Sequence, residues 1–309
     1  MTQNGYNPKF HRGLLHPRYW TTWFGVGIAV ICAFLPYKLR DNIAVKLAKL
    51  AVKIKSKPLT RAIINTYECY PNLTENERNR LLLNTYTNAA CSVLSFAVLL
   101  VRSKEYVEKR SKFIGEQYLQ QELDKGHNLI LLVPHTWAID YPGVILASRG
   151  IHVAAMMKKQ RNPVIDWLMN EQRLKYGGRT HERNDGIKPF IKSIREGYVG
   201  YYLPDEDHGP QHSVFVPFMA TEKATLTGLG KLARLSKATV LPVIPYYDRY
   251  TGTYVIDVQE PLENFPTGNE ETDALMMNER IERFVEKHPD QYMWILNILR
   301  SRPNGTRRY

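Results

Sequence analysis

The chain has 309 residues, a formal net charge of +12 and 44% hydrophobic residues, which is enough apolar material for a buried core. Its mean hydropathy of -0.37 excludes a membrane protein with many spans. Three cysteines without CxxC or CxxH spacing argue against a disulfide scaffold and a zinc cluster. The positive charge fits nucleic acid, an acidic membrane surface, an acidic protein or a phosphorylated substrate, and composition does not choose among them.

The basic residues are concentrated near the N-terminus. Residues 1–60 contain ten Lys or Arg against one Asp, whereas residues 61–309 contain 32 Lys or Arg against 29 Asp or Glu. The second region carries no recognised nucleic-acid motif, so nucleic acid is not an expected partner. The basicity is therefore expected to hold the protein at an anionic membrane.

One segment of the sequence, residues 19–35, is predicted to be apolar enough for a membrane. It has seventeen residues without a charge, begins with three aromatic residues at Tyr19, Trp20 and Trp23, and ends before Pro36. Seventeen residues is the lower limit for a span. A tilted span, a helix in the interface and a buried core helix stay open, and a signal peptide is disfavoured because the small residues of a cleavage site are missing.

The next predicted helix, over 41–55, is amphipathic. Its apolar side chains at helical spacing are Ile43, Leu47, Leu50 and Ile54, and a ridge of lysines follows a quarter-turn away. This layout is typical of a helix that rests its apolar stripe on a bilayer, although a surface helix with a basic face looks similar. The sequence predicts a membrane anchor over 1–57 and a second domain over 58–309.

The second domain alternates between helical and strand-like patterns. Helices are predicted over 75–101, 116–125, 140–149, 162–176, 186–196, 222–236 and 270–286, and strands over 128–133, 151–157, 198–203, 239–244 and 253–258. The strands are short and continuously apolar, as in parallel sheets that are covered on both faces. This pattern predicts an α/β fold with a mostly parallel central sheet flanked by helices, and with ligands at the carboxyl ends of the strands.

His135 and Asp140 follow the first of these strands. Residues five apart point in different directions on a regular helix or strand, so the two can pair only across a turn, which Pro134 marks. A histidine beside a carboxylate can take a proton from an alcohol. Without a G-x-S-x-G elbow or a cysteine near this histidine, the nucleophile would be the acceptor's own hydroxyl, which predicts direct acyl transfer. The spacing alone is a weak motif, and helix capping is an alternative.

The stretch 135–140 resembles the HX4D signature of the glycerolipid acyltransferase superfamily, and other segments resemble its branch of late acyltransferases of lipid A biosynthesis. These segments are HPRYW at 16–20, HTWAID at 135–140, NPVIDW at 162–167, ERNDGIKPFI at 182–191, YYLPDEDHGPQHSVFVPF at 201–218 and QYMWIL at 291–296. Asp140 at the end of the motif, with Trp137 inside it, is similar to the myristoyl branch of that family.

The resemblance implies transfer of an acyl chain, here myristoyl, from acyl carrier protein to the hydroxyl of a 3-hydroxyacyl chain on a Kdo2-lipid A precursor. It places the enzyme at the cell inner membrane with its catalytic domain on the cytoplasmic side, and it implies no cofactor. His135 would be the general base and Asp140 would orient its ring. Three alternatives stay open. They are an acyltransferase of glycerophospholipids, a metal-dependent glycosyltransferase that uses Asp205-x-Asp207, and a non-enzymatic adaptor at the membrane surface in which His135 and Asp140 are structural.

Four further residues are predicted to bind substrate. Arg173 matches an arginine of the family's second block and could hold a phosphate or a carboxylate, and Arg183 lies in a loop that enters a helix. Asp205 and Asp207 stand at the carboxyl end of a strand and could pair with these arginines. Together with His208 they could also ligate a divalent ion, but acyl transfer requires none, and no metal site is predicted.

Overall fold

A computed structural model of the protein describes residues 5–309. The α-helices in this range are α1 (Trp20–Phe34), α2 (Tyr37–Ala51), α3 (Lys57–Cys69), α4 (Glu75–Ser95), α5 (Val98–Val101), α6 (Lys104–Lys109), α7 (Glu116–Asp124), α8 (Tyr141–Ser148), α9 (Pro163–Leu174), α10 (Lys188–Arg195), α11 (Gly228–Ser236) and α12 (Glu270–Lys287). The strands are β1 (Ser111–Ile114), β2 (Asn128–Leu132), β3 (Val153–Met157), β4 (Arg179–Glu182), β5 (Val199–Tyr202), β6 (Ser213–Phe218), β7 (Thr221–Leu226), β8 (Ala238–Asp248) and β9 (Thr253–Val258).

Seven strands form one central sheet in the order β1-β9-β8-β2-β5-β3-β4. The five strands from β8 to β4 run parallel to one another, β9 is antiparallel to β8, and β1 is parallel to β9. Strands β6 and β7 pair with each other as a separate antiparallel hairpin. The predicted α/β fold with a mostly parallel central sheet flanked by helices is confirmed.

Strand β2 shows why the strand patterns are continuously apolar. Leu129, Leu131 and Val133 belong to the core cluster on one face of the sheet, which also receives residues of α2, α4 and α8. Ile130 and Leu132 belong to the cluster on the other face, together with residues of α10, α11 and α12. Because both faces are covered by helices, successive side chains of the strand are all buried.

The predicted helix over 222–236 is wrong in its first part. Residues 221–226 are strand β7, which pairs with β6 from Ser213 opposite Leu226 to Phe218 opposite Thr221, and the helix begins only at Gly228. Cross-strand pairing with β6 satisfies the backbone of β7, and α12 packs against the hairpin. Neither partner can be read from the local sequence pattern, which is why the prediction failed here.

The N-terminal apolar segment forms a helix that is packed on one side. Helix α1 has 15 residues, fewer than the roughly 20 that a span needs. Cys32 and Ala33 are buried in the core, whereas Phe24 and Ile31 are 73% and 66% exposed on the other side. Within residues 5–309 the helical stretch long and apolar enough to cross a membrane is Glu75–Val101 instead, and half of its apolar window is buried in the protein. The expected N-terminal anchor is thus a short helix with one bare apolar face.

Helix α2 also exposes apolar side chains, and it is tied to the sheet. Leu47 and Leu50 are exposed as the amphipathic pattern predicts, while Ala44 is buried in the same core cluster as strand β2. The buried carboxylate of Asp41 accepts a hydrogen bond from the Tyr247 hydroxyl of β8 at 2.8 Å. Residues of the predicted anchor region therefore share one core with the central sheet.

Candidate active site

His135 and Asp205 are brought together by two neighbouring strands. Strands β2 and β5 are parallel, with Leu132 opposite Tyr202, and the Val133 N–H extends the ladder by donating to the Tyr202 carbonyl at 2.9 Å. Parallel strands end at the same edge of a sheet, so the segments that follow them meet there. Each of the two site residues lies in one of these segments.

Asp205 holds His135 at two points. The backbone N–H of His135 donates to Oδ2 of Asp205 at 2.7 Å, and ring atom Nδ1 of His135 is hydrogen-bonded to Oδ1. The carboxylate is fully buried, while 17% of the histidine side chain stays exposed. Because an ionised carboxylate only accepts hydrogen bonds, Nδ1 carries the hydrogen and Nε2 keeps a free lone pair for a substrate.

The two charges of this pair stabilise each other. Burial lowers the pKa of His135, but the charge and hydrogen bond of Asp205 outweigh it and raise that pKa above its ordinary value of 6.5. Burial alone would raise the pKa of Asp205, yet the histidine and then Lys223 hold it below its ordinary value. Asp205 therefore strengthens His135 as a base, and the histidine in turn favours the ionised form of Asp205.

The C-terminal segment supports the backbone around His135. The Met293 N–H donates to the His135 carbonyl at 2.9 Å, and the Trp137 N–H donates to the Gln291 carbonyl at 3.2 Å. Thr136 and Tyr292 form an antiparallel bridge between these contacts. The QYMWIL segment, distant in the sequence, thus fixes the turn that carries the histidine.

Asp140 has a different partner from the predicted one. Nε and Nη2 of Arg173 donate to the same oxygen, Oδ1 of Asp140, at 2.9 and 2.8 Å. Asp140 is the residue before helix α8, and the Tyr201 hydroxyl holds the preceding Ile139 carbonyl at 2.6 Å. This geometry turns the carboxylate toward α9, so that in the structure Asp205 takes the ring-orienting place predicted for Asp140.

Asp207 is a structural residue in this geometry. Its Oδ1 accepts from the Gly209 N–H at 2.8 Å and the Ser301 hydroxyl at 3.0 Å, and its Oδ2 accepts from the Ser301 N–H. The side chain is buried and joins the loop after β5 to the C-terminal segment. The predicted pairing of Asp205 and Asp207 with Arg173 or Arg183 is wrong, because both carboxylates are engaged elsewhere.

A cavity of about 360 Å³ opens beside His135 at the carboxyl edge of the sheet. Its charged and polar lining residues include Lys158, Gln160, Arg173, Arg183, Glu206, His208 and Lys231. Its apolar lining residues are Met156, Met157, Met169, Ile187, Phe190, Leu203, Leu226 and Leu232. A base, several cations and many apolar side chains line one space, which suits a substrate with an anionic head and a hydrocarbon chain.

Within residues 5–309 no group of three or more His, Cys, Asp or Glu side chains is arranged to hold a metal ion. Asp205 binds His135 and Asp207 binds Ser301, so the Asp-x-Asp pair is directed at two different partners. The geometry offers no support for the glycosyltransferase alternative.

Comparison with known proteins adds a family to this geometry. The family model described as bacterial lipid A biosynthesis acyltransferase matches residues 7–301. A lipid A biosynthesis acyltransferase of Haemophilus influenzae is 42% identical, over 97% of this chain and 94% of its own length. The lipid A biosynthesis myristoyltransferase of Escherichia coli is 41% identical, over 97% and 93%, and the lauroyltransferase of the same organism is 30% identical, over 96% and 97%.

One solved structure shows a distant likeness. The crystal structure of the 1-acyl-sn-glycerophosphate acyltransferase of Thermotoga maritima aligns with a TM-score of 0.39 and 14% sequence identity. The alignment covers 82% of this chain and 97% of that one.

Proposed function

The chain belongs to the bacterial lipid A biosynthesis acyltransferases, and we propose that it transfers a myristoyl chain from acyl carrier protein to the hydroxyl of a 3-hydroxyacyl chain on a Kdo2-lipid A precursor. The myristoyl preference is supported by 41% identity with the Escherichia coli myristoyltransferase, against 30% with the lauroyltransferase. The observation that carries the mechanism is the His135–Asp205 pair beside a cavity with many apolar lining residues.

In this mechanism His135 acts as the general base. Nε2 takes the proton of the acceptor hydroxyl while its oxygen attacks the thioester carbonyl carbon, so a C–O bond forms. The C–S bond then breaks, and the imidazolium gives its proton to the leaving thiolate. Asp205 holds the ring and stabilises the imidazolium; such a base contributes typically ~10²–10⁴ in rate.

The cavity offers separate places for the parts of the substrates. The apolar lining suits the acyl chain, and the methionines Met156, Met157 and Met169 can adapt to it. Arg183 lines the same cavity, is exposed and can meet a lipid phosphate. Arg173 uses only two of its five N–H groups on Asp140, which leaves donors for a substrate phosphate or carboxylate.

We place the protein on the cytoplasmic side of the inner membrane, and the exposed apolar side chains of α1 and α2 support binding to a membrane surface. Phe24, Ile31 and Leu50 are more than half exposed, and exposed lysines at positions 46, 49 and 53 lie beside them. A large apolar face with flanking lysines is typical of an interfacial helix pair on anionic lipid.

A vesicle experiment tests this placement. Phe24→Asp should weaken binding to anionic vesicles by roughly tenfold or more, since a buried phenylalanine contributes about 1.5–3 kcal/mol. Leu235→Asp, at an exposed apolar residue of α11 on the other face of the sheet, is the matched control. Equal binding of both variants would place the membrane contact elsewhere.

The proposed acyl transfer is tested by measuring the mass of the lipid product. Purified protein is incubated with myristoyl-acyl carrier protein and a Kdo2-lipid A precursor that lacks one secondary chain, and the product should gain one myristoyl group. His135→Ala should abolish the gain, whereas His127→Ala, at a half-exposed histidine paired with Glu122, should keep it. Acylation of lysophosphatidic acid in place of the precursor would instead support the glycerophospholipid alternative.

A further inference from the structure

Helices α10 and α11 carry an exposed cluster of positive charge. Residues 188–196 and 228–237 together contain six Lys or Arg against one Glu, whereas the rest of residues 61–309 contains 26 Lys or Arg against 28 Asp or Glu. All six basic side chains are exposed, and together we call them the cationic surface: Lys188, Lys192, Arg195, Lys231, Arg234 and Lys237. Charge of one sign gathered on one part of a balanced domain is typical of a surface that binds an anionic partner.

The two helices form one continuous surface. They pack against each other, and Nε of Arg195 donates to the Leu235 carbonyl at 3.1 Å. The single acid among them, Glu196, lies 2.5 Å from Arg179 and 3.8 Å from Lys192, so it leaves most of the positive charge unbalanced. Helix α12, which packs against α11, carries six Asp or Glu against three Lys or Arg. The cationic surface therefore ends at α11.

The cationic surface adjoins the catalytic cavity. Lys231 lines that cavity, and so do Ile187, the residue before α10, and Gly228, the first residue of α11. Both helices thus begin at the space that His135 also lines. A second cleft, of about 1320 Å³, lies beside α10 and is lined by Lys188 among others. A partner bound to α10 and α11 would therefore lie next to the reacting atoms.

The position of the cationic surface favours a protein partner over a lipid. Residues of α10 and α11 belong to the core cluster on one face of the sheet, and residues of α1 and α2 belong to the cluster on the other face. The exposed apolar side chains of α1 and α2 are therefore directed away from it. Among the large apolar side chains of α10 and α11, which lie wholly within the described range, only Leu235 is exposed, at 38%. An interfacial helix needs a broad apolar face beside its cations.

We infer that α10 and α11 form the docking surface for an acidic protein, the acyl carrier protein of the proposed reaction. This inference rests on the function proposed above, which names that donor. Complementary charge across an interface speeds the encounter of two proteins and fixes their orientation. A carrier protein held on this surface presents its thioester beside the cavity at Lys231, where the acyl chain can enter.

The test is direct binding of fluorescently labelled acyl carrier protein, followed by fluorescence anisotropy. Lys192→Glu/Arg234→Glu reverses one exposed charge on each helix, outside the lining of the catalytic cavity. Its Kd should be about tenfold or more above that of the native protein at low salt, and the difference should shrink as salt is added. Lys109→Glu/Lys112→Glu is the matched control, because it makes the same charge change at exposed lysines of α6 and edge strand β1. Equal weakening in the two variants, or no weakening in the first, would overturn the inference.

Two further measurements separate the carrier protein from lipid and from catalysis. In Lys192→Glu/Arg234→Glu the KM for myristoyl-acyl carrier protein should rise about tenfold while kcat and the KM for the lipid acceptor change little, since His135 and its cavity are untouched. Binding to anionic vesicles should stay as in the native protein. Weaker vesicle binding with unchanged binding of carrier protein would assign the surface to lipid headgroups and overturn the inference. Because anisotropy requires no acyl transfer, a protein without the proposed activity can still pass or fail the docking test.

Discussion

The His135–Asp205 and Asp140–Arg173 pairs lie at the same edge of the sheet and differ in burial. Asp205 is fully buried and holds its partner through ring and backbone, whereas 24% of each side chain is exposed in the Asp140–Arg173 pair. A buried carboxylate fixes a tautomer and shifts a pKa, while a partly exposed ion pair contributes little stability and can open to a ligand. We therefore expect proton transfer at the first pair and substrate binding at the second.

The largest effect is expected at Asp205. Asp205→Asn should lower kcat by ~10²–10⁴ with little change in KM, because an amide can hold the ring in the wrong tautomer. Asp140→Asn, the isosteric change in the other pair, should cost less. Initial rates with saturating donor and acceptor show which of the two variants loses more kcat. A greater loss in Asp140→Asn than in Asp205→Asn would show that His135 exchanges partners when substrate binds.

The second prediction concerns Arg173. Arg173→Ala should raise the KM of one substrate by about 10–100-fold, which corresponds to a lost charge-assisted hydrogen bond of about 1.5–3 kcal/mol. Asp140→Asn/Arg173→Ala should be no worse than Arg173→Ala, since the two residues act together. Steady-state kinetics of Asp140→Asn, Arg173→Ala and the double variant complete a double-mutant cycle. Additive losses would show that the two residues act independently.

The pH dependence of the rate should also distinguish the His135–Asp205 pair from the Asp140–Arg173 pair. Asp205 raises the pKa of His135 above 6.5, so kcat/KM should fall as the pH drops through that raised value and the base becomes protonated. Without the carboxylate, Asp205→Asn should shift this limb to lower pH, whereas Asp140→Asn should leave it in place. The measurement is a profile of kcat/KM between pH 5 and pH 9. An acid limb that shifts in Asp140→Asn and not in Asp205→Asn would show that Asp140 is the carboxylate that acts on His135.

The smallest effect is on stability. A histidine whose pKa is raised in the folded state adds stability that is fully present below its ordinary value of 6.5 and is lost as the pH rises through the raised value. The free-energy difference between the native chain and His135→Gln should therefore shrink above pH 6.5. The corresponding difference for Arg173→Gln should stay constant. Urea unfolding at several pH values measures both free-energy differences. If the difference for His135→Gln varied with pH no more than the difference for Arg173→Gln, the coupling of His135 to Asp205 would be contradicted.

Much of the fold could be predicted because local patterns report burial. The strand at 128–132 is apolar after Asn128, the strand at 199–202 has the sequence VGYY, and both lie within predicted strands. Strands β1 and β4, with sequences SKFI and RTHE, were not predictable, because edge strands are only half covered and their residues look like loops. Helix α11 was predicted to begin too early because a hairpin strand precedes it.

The sequence by itself determined the α/β architecture and the family, since these depend on residue types and short spacings. The candidate site residues that it predicts are His135, Asp140, Arg173, Arg183, Asp205 and Asp207. Only the tertiary structure decided which of them touch. The order of strands sets β5 beside β2, so that Asp205 reaches His135 while Asp140 is turned toward Arg173. Strand order depends on long-range packing of both sheet faces, and no local pattern records it.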